Sequence, residues 1–259
     1  MHVLLTGSAG FVGRHLHAAL DARGDTVTAV DLIHGRDALD LFRFDSAPYD
    51  LAIHCAAIVG GRASIDGSPL GVATNLALDS WYMRWLARLG IPRAVYFSSS
   101  AAYPVILQQP GEVRRLVETD IDYQRPGRPD ATYGLAKLTG EQLCQYAATE
   151  GTQMTILRPF SGYGSDQDDA YPFPAFIRRA RERQDPFEVW GDGKSTRDWI
   201  HIDDLARIVC AGAGYQPQLK HRADAPRGVH HRVCDPGRML GFYQPTITLE
   251  EGVRRALTV

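Results

Sequence analysis

Val3-Leu4-Leu5-Thr6-Gly7-Ser8-Ala9-Gly10-Phe11-Val12-Gly13 is the stretch on which the fold turns. Val3 to Thr6 is a short apolar run, the pattern of a parallel strand buried on both faces. Three glycines follow, and Arg14 to Leu20 then takes up helical spacing. Strand, glycine turn and helix in that order make a cradle for a pyrophosphate. Gly7 permits the tight turn, Gly10 lets the phosphates approach the backbone and Gly13 lets the helix pack close, while the helix N-terminus receives the negative charge. Phe11 and Val12 open that helix. Thr26 to Val30 is the next strand and ends at Asp31. An acidic side chain there can take both ribose hydroxyls and would repel a 2′-phosphate, so NAD is favoured over NADP.

Working outward, Asp50 to Ala57 reads as a third strand whose last residues, Ala56 and Ala57, are small enough for a cofactor to pass close. His54 reads as a packed core histidine. Pro69 to Leu89 is a helix with a wide apolar surface that includes Trp81 and Trp85. One face is expected on the sheet and the other on a partner subunit. Asn75 on that helix either reaches the site or binds water.

Ala94 to Phe97 is a fourth strand, followed by Ser98-Ser99-Ser100. Hydroxyls at the carboxyl end of a strand in an open parallel sheet point to the ligand crevice, and Ser100 is expected to touch substrate. Val105 to Arg128 reads as a surface loop covering the cleft. Then comes Thr132-Tyr133-Gly134-Leu135-Ala136-Lys137, with Tyr133 and Lys137 four apart on one helix face. A phenol titrates near pH 10, and a neighbouring ammonium is expected to lower that and let the pair move a proton on and off a hydroxyl. The only lysines are Lys137, Lys194 and Lys220 in a chain rich in arginine, which fits a place that wants a compact ammonium. Alone the spacing is weak, because an exposed helical pair reads the same way. Met154 to Pro159 is a fifth strand.

The character shifts at Phe160. Pro174 to Arg183 is a basic helix, Phe187 to Trp190 a short strand, and Asp203 or Asp204 caps a helix from Leu205 to Cys210. Thr246 to Val253 is a last short element. Arg178, Arg197 and the Trp190 ring supply fork donors and a packing plate suited to a nucleotide diphosphate.

The chain has 259 residues, 44% of them hydrophobic, and a net charge of −2 with both signs interspersed. Nothing in it suggests a nucleic-acid partner, and no apolar run reaches membrane-spanning length. Met1 to Leu5 enters a strand pattern directly, so no signal peptide is expected. Cys55, Cys144, Cys210 and Cys234 have no metal-ligand spacing. They are read as reduced and cytoplasmic, with no metal site.

Taken together, the glycine stretch, Asp31, His54-Cys55-Ala56-Ala57, Ser98-Ser99-Ser100, Tyr133-Gly134-Leu135-Ala136-Lys137, Arg158-Pro159 and Arg197-Asp198-Trp199-Ile200-His201-Ile202-Asp203-Asp204 resemble the extended short-chain dehydrogenase/reductase family. These are the NAD-dependent nucleotide-sugar epimerases and dehydratases. The resemblance implies an α/β, Rossmann-like, doubly wound parallel sheet with a small C-terminal substrate lobe. Residues 1–159 would bind NAD, and 160–259 would mostly bind substrate, with 198–212 returning to the core. It also implies that Ser99, Tyr133 and Lys137 are catalytic, that Pro159 lies with the cofactor, and that Arg197 meets the diphosphate of a GDP- or UDP-sugar. A homodimer through the helices 69–89 and 133–150 is expected from the same resemblance. Val59-Gly60-Gly61, Tyr103-Pro104 and Glu188-Val189-Trp190-Gly191 look most like the GDP-fucose synthase and GDP-mannose 3,5-epimerase branch. That branch carries a cysteine where this chain has Ala101, and a His or Lys where it has Tyr171 and Pro172. The dehydratases' Thr-Asp-Glu run is absent, and Ser161 stands for the usual Asn. The reaction implied is 4-epimerisation through a 4-keto sugar. The alternatives are a 4-keto reductase, a 3,5-epimerase, or a protein that binds NAD without catalysis. Between Cys210 and Gly214 a strand and helix of the family are expected to be missing.

Overall fold

The computed structural model describes residues 1–198, 219–222 and 228–258. Five strands, β1 (His2–Thr6), β2 (Thr26–Val30), β3 (Leu51–His54), β4 (Arg93–Phe97) and β6 (Gln153–Leu157), form one parallel sheet in the order β2-β1-β3-β4-β6. Alternation along β1 sends side chains to both faces. Leu4 joins Val30, Ala52, Phe42, Tyr82, Trp85 and Tyr96 on one side. Val3 and Leu5 join Leu20 and Ile53 on the other. The helices α1 (Phe11–Ala22), α2 (Ala38–Phe44), α4 (Pro69–Leu89) and α5 (Ala131–Thr149) cover these faces, as parallel crossovers require. The short α3 spans Arg62–Gly67. The chain leaves β1 toward β2 and returns to place β3 on β1's other side. That reversal opens a crevice at the carboxyl ends of β1 and β3, where doubly wound sheets bind ligands.

Asn75, Asp79, Tyr82, Met83 and Leu86 recur at helical spacing on α4 and are buried, so this face meets the sheet and the neighbouring α2 and α5. Of the two tryptophans on the wide apolar surface, Trp85 is corrected to the sheet side: it is 0% exposed, in the core of its own chain. Trp81 lies under two guanidinium groups, those of Arg43 at 5.0 Å and Arg84 at 4.9 Å from the ring centroid. An apolar stripe cannot reveal whether its cover is the same chain or another.

The chain divides into two compact units. The first comprises Met1–Val59, Ile65–Ala102 and Pro129–Pro159, and the second comprises Gly60–Ser64, Tyr103–Arg128 and Phe160–Val259. The second unit holds a parallel pair, β7 (Phe187–Trp190) with β9 (Leu219–Arg222). It also holds a small sheet of β5 (Arg115–Leu116), β10 (His231–Cys234) and β8 (Thr196–Arg197). Helix α6 (Pro172–Arg181) and the last helix, α8 (Leu249–Thr258, after the short α7 at Gly237–Leu240), enclose its core. Phe173, Phe176, Ile177, Phe187, Val189, Val253 and Ala256 fill that core. Residues 105–128 are more than a surface loop, because Gln108, Leu116 and Ile121 are buried and β5 pairs with β10. The capping aspartates 203 and 204, the helix 205–210, the return of 198–212 to the core and the missing segment at 210–214 fall outside the described residues beyond Asp198.

Candidate active site

The glycine turn is built by close backbone approach. Gly7 has φ +69°, in the left-handed region that favours glycine, and a Cβ there would stand 2.5 Å from the Ala56 nitrogen. The ends of β1 and β3 can therefore touch only because Gly7 has no side chain. A Cβ on Gly13 would lie 1.9 Å from the Gly7 carbonyl oxygen, so the same logic seats α1 on the turn. Gly10, at the N-cap of α1, donates its N–H to Gly7 O at 3.1 Å. Asp31 ties the turn to the end of β2, accepting from Ala9 N at 3.0 Å and from Ile33 N at 3.1 Å. A bare backbone cradle at a helix N-terminus, with a carboxylate at the end of the next strand, fits a dinucleotide. Phe11 and Val12 open the helix, and Ala56 and Ala57 line the loop after β3. Asn75 settles between its two readings. Its side chain accepts from Ile58 N at 2.7 Å and donates to Ile58 O at 2.9 Å, pinning that loop.

The serine run after β4 is clamped from below. Ser98 N donates to Leu157 O at 2.8 Å and Ser100 N to Pro159 O at 3.1 Å. Ser98 Oγ donates to Glu141, which is 0% exposed. Arg158 grips the same carboxylate with two bonds, each 2.8 Å. A bidentate guanidinium–carboxylate pair has a fixed geometry, so α5 and the end of β6 are locked to the residues that carry Ser99. Gly134 brings α5 close, since a Cβ there would be 2.2 Å from Ala101 O. This close approach sets the Tyr133 phenol beside the Ser99 side chain, near enough for Ser99 to pull its pKa down. Ser99 Oγ also accepts from Ala101 N at 3.1 Å.

Lys137, one turn on from Tyr133, is 3% exposed, with Nζ 4.9 Å from the Tyr96 ring centroid. The expectation that it acidifies Tyr133 is not met. Burial pushes the phenol up to about 12, the neighbouring Ser99 hydroxyl opposes this, and the charge of Asp79 adds to it. The charge of Lys137 falls on Asp79 instead. Sequence reasoning missed Asp79, and it missed Glu141 as the anchor of Ser98. For Asp79 the signal was available: a carboxylate on the apolar face of α4, four residues after Asn75 and three before Tyr82.

The other predicted substrate residues belong to the second unit. Arg178 pairs with Asp169 at 3.3 Å and Glu182 at 3.2 Å and is largely exposed. Arg197 donates to Thr196 O at 2.8 Å. Trp190 is 50% exposed at the end of β7. Among the described residues no cluster of His, Cys, Asp or Glu could hold a metal, and no helix is long and apolar enough to cross a membrane.

A model of the NAD dependent epimerase/dehydratase family matches residues 3–213. The GDP-mannose 3,5-epimerase 1 of Oryza sativa subsp. indica is 29% identical over 237 residues, covering 81% of this chain but 60% of that protein. The GDP-L-fucose synthase of Sinorhizobium fredii is 24% identical over 302 residues, covering 98% of this chain and 93% of the relative. That alignment is longer than the 259 residues here, so the relative has residues this chain lacks. Among solved structures, the UDP-glucose 4-epimerase of Thermus thermophilus in complex with NAD superposes with a TM-score of 0.78 at 22% identity, covering 100% of this chain and 98% of that one.

Proposed function

Because the chain belongs to the NAD dependent epimerase/dehydratase family, we propose that it is a nucleotide-sugar epimerase that acts at C4 through a transient 4-keto sugar. The observation that carries this is the buried Tyr133 phenol beside Ser99 at the carboxyl end of β4, with Lys137 buried one turn away on the same helix face. Tyr133, ionised, takes the proton of the C4 hydroxyl, and Ser99 holds the same oxygen as it becomes a carbonyl. Return of hydride to the opposite face of C4, with the proton from Tyr133, restores the alcohol in inverted configuration. A dinucleotide would be cradled by Gly7, Gly10, Phe11, Val12 and Gly13, with Asp31 on its ribose and Ala56, Ala57 and Pro159 beside it, and would supply the reversible two-electron acceptor for that hydride. Lys137 would meet the nicotinamide ribose. The Thermus 4-epimerase, solved with NAD, supports NAD as that group.

Epimerisation at C4 needs only these groups and room to turn the sugar. Inversion at C3 and C5 needs further acid and base groups; Ala101 and Pro172 can supply neither, and Tyr171 is not the His or Lys which that branch carries. Ser100, Arg178, Trp190 and Arg197 are the proposed contacts to a GDP- or UDP-linked sugar. The names of the plant and rhizobial relatives favour a nucleotide-sugar substrate. Cys55, Cys144 and Cys234 are free, which fits the cytoplasm. A homodimer through α4 and α5 rests on family likeness, and light scattering at micromolar concentration tests it, a monomer refuting it.

Incubation with UDP- and GDP-hexoses tests the activity. Turnover with NAD and no added reductant is expected. Turnover only with NADH or NADPH makes the protein a reductase, and tight NAD binding without turnover in any sugar nucleotide makes it a binder.

A further inference from the structure

Beside Ser99, Tyr133 and Lys137 lies a set of buried polar side chains that the reaction above does not use. Asp79 is 1% exposed. Its Oδ2 accepts from the Tyr96 hydroxyl at 2.6 Å, and its Oδ1 faces His54 Nε2 at 3.3 Å. His54 Nδ1 is 2.7 Å from Thr6 Oγ1, on the last residue of β1 before the glycine turn. An ionised Asp79 can only accept, so Nε2 carries the proton of a neutral imidazole and Nδ1 accepts from the Thr6 hydroxyl. Burial keeps His54 neutral by pushing its pKa down, against the pull of Asp79. The chain of contacts thus runs from the glycine turn to the Tyr96 ring, against which the Lys137 ammonium rests.

Two further observations give this cluster a direction. Helix α5 carries Gly140 where a Cβ would stand 2.0 Å from Tyr96 Oη and 3.0 Å from Asp79 Oδ2. Glycine inside a helix is unfavourable relative to alanine, and here its absent side chain is the space the Asp79–Tyr96 pair occupies. The second is charge. Burial alone would raise the Asp79 carboxyl, but the Lys137 charge, the facing His54 and the bond from Tyr96 outweigh it and hold it below its usual value. The other titratable groups around it are neutral or already matched. Burial raises Cys55, Cys144 and Tyr82, and Glu141 is gripped by Arg158. A buried ammonium requires a countercharge, and the Asp79 carboxylate is bonded to the same tyrosine whose ring the ammonium rests against.

We propose that Asp79 is the buried countercharge of Lys137 and a positioning residue for the reaction, holding the ammonium at the Tyr96 ring and setting the pH at which the Tyr133 phenol ionises. This rests on the proton-carrying role given to Tyr133 above. A carboxylate near both groups cancels the cation that would favour the phenolate and repels the phenolate itself, so removing its charge should make Tyr133 a stronger acid.

The test reads Tyr133 directly and needs no substrate. Tyrosinate absorbance is titrated in the wild type and in Asp79→Asn, each corrected by the same protein carrying Tyr133→Phe. The Tyr133 signal is expected about one pH unit lower in Asp79→Asn, with Asp79→Glu restoring the wild-type position. Where substrate turnover is measurable, the acid limb of kcat/KM moves in the same direction. If Asp79→Asn does not fold, Asp79→Ser removes the charge with a smaller side chain and serves instead. A folded neutral variant whose melting temperature falls while the Tyr133 titration stays in place or moves up would overturn the proposal, leaving Asp79 a packing residue. So would Asp79→Glu titrating like Asp79→Asn. A downward shift in a protein that turns over no sugar nucleotide would leave this inference standing and remove the epimerase reading.

Discussion

The two units hold their proposed functional side chains in opposite ways. In the first, Ser99 follows a serine whose hydroxyl is bonded to a fully buried carboxylate, itself gripped by Arg158, and Lys137 is buried against Tyr96. In the second, Arg178 and Trp190 stand largely in solvent, and the ties of Arg178 are exposed ion pairs. Exposed pairs contribute about 0–1 kcal/mol, whereas breaking a buried pair costs several times that. The difference separates two tasks. Groups that move a proton must be fixed within a fraction of an ångström, so the scaffold is built around them. Groups that grip a substrate can be ordered by the substrate when it arrives.

If that contrast holds, the largest effect comes from the proton carrier itself. Tyr133→Phe removes one oxygen and should lower kcat by about 10²–10⁴-fold, with NAD affinity by calorimetry nearly unchanged. Activity within a few-fold of wild type would mean another group carries the proton.

Next is the clamp. Arg158→Ala removes the guanidinium paired with buried Glu141 and should cost about 3–5 kcal/mol in chemical denaturation. A loss under about 1 kcal/mol would show that the pair does not hold the end of β4. Gly134→Ala places a methyl 2.2 Å from Ala101 O. Overpacking of that kind costs about 1–3 kcal/mol, and it should lower kcat as well by displacing Tyr133 from Ser99. A stable variant with full kcat would break the link between that glycine and the site.

The smallest effect is expected in the second unit. Arg178→Ala should change stability by less than about 0.5 kcal/mol while raising KM for a sugar nucleotide. Unchanged KM would remove Arg178 from the substrate contacts.

What could be read from the sequence divides along the same line. Gly7, Gly10 and Gly13, Asp31, and Tyr133 with Lys137 announce themselves because their chemistry depends on spacing within one turn or one helix. Sheet strands and the helix 69–89 followed from apolar periodicity. Which face of that helix took Trp85 was not legible, because periodicity shows that a face is covered and not by what. Lys137 was expected to act on Tyr133 because the two share a helix face, but burial in the folded chain raises the phenol, and the charge of Asp79, which comes from another helix, adds to it. Residues 105–128 looked like surface because a two-residue strand such as Arg115–Leu116 has no period to detect.

The central claim is that a sugar is oxidised and re-reduced at C4, with NAD as the two-electron acceptor and donor and Tyr133, Ser99 and Lys137 handling the proton, and with no other carbon-bound proton exchanged. The most direct measurement is to incubate the protein with NAD and a panel of UDP- and GDP-hexoses in D₂O and analyse the recovered sugar nucleotides by NMR and mass spectrometry. The account predicts a C4 epimer with no gain of carbon-bound deuterium, because the hydrogen removed from C4 returns to C4. Deuterium at C3 or C5, or no isomer from any sugar nucleotide, would contradict it.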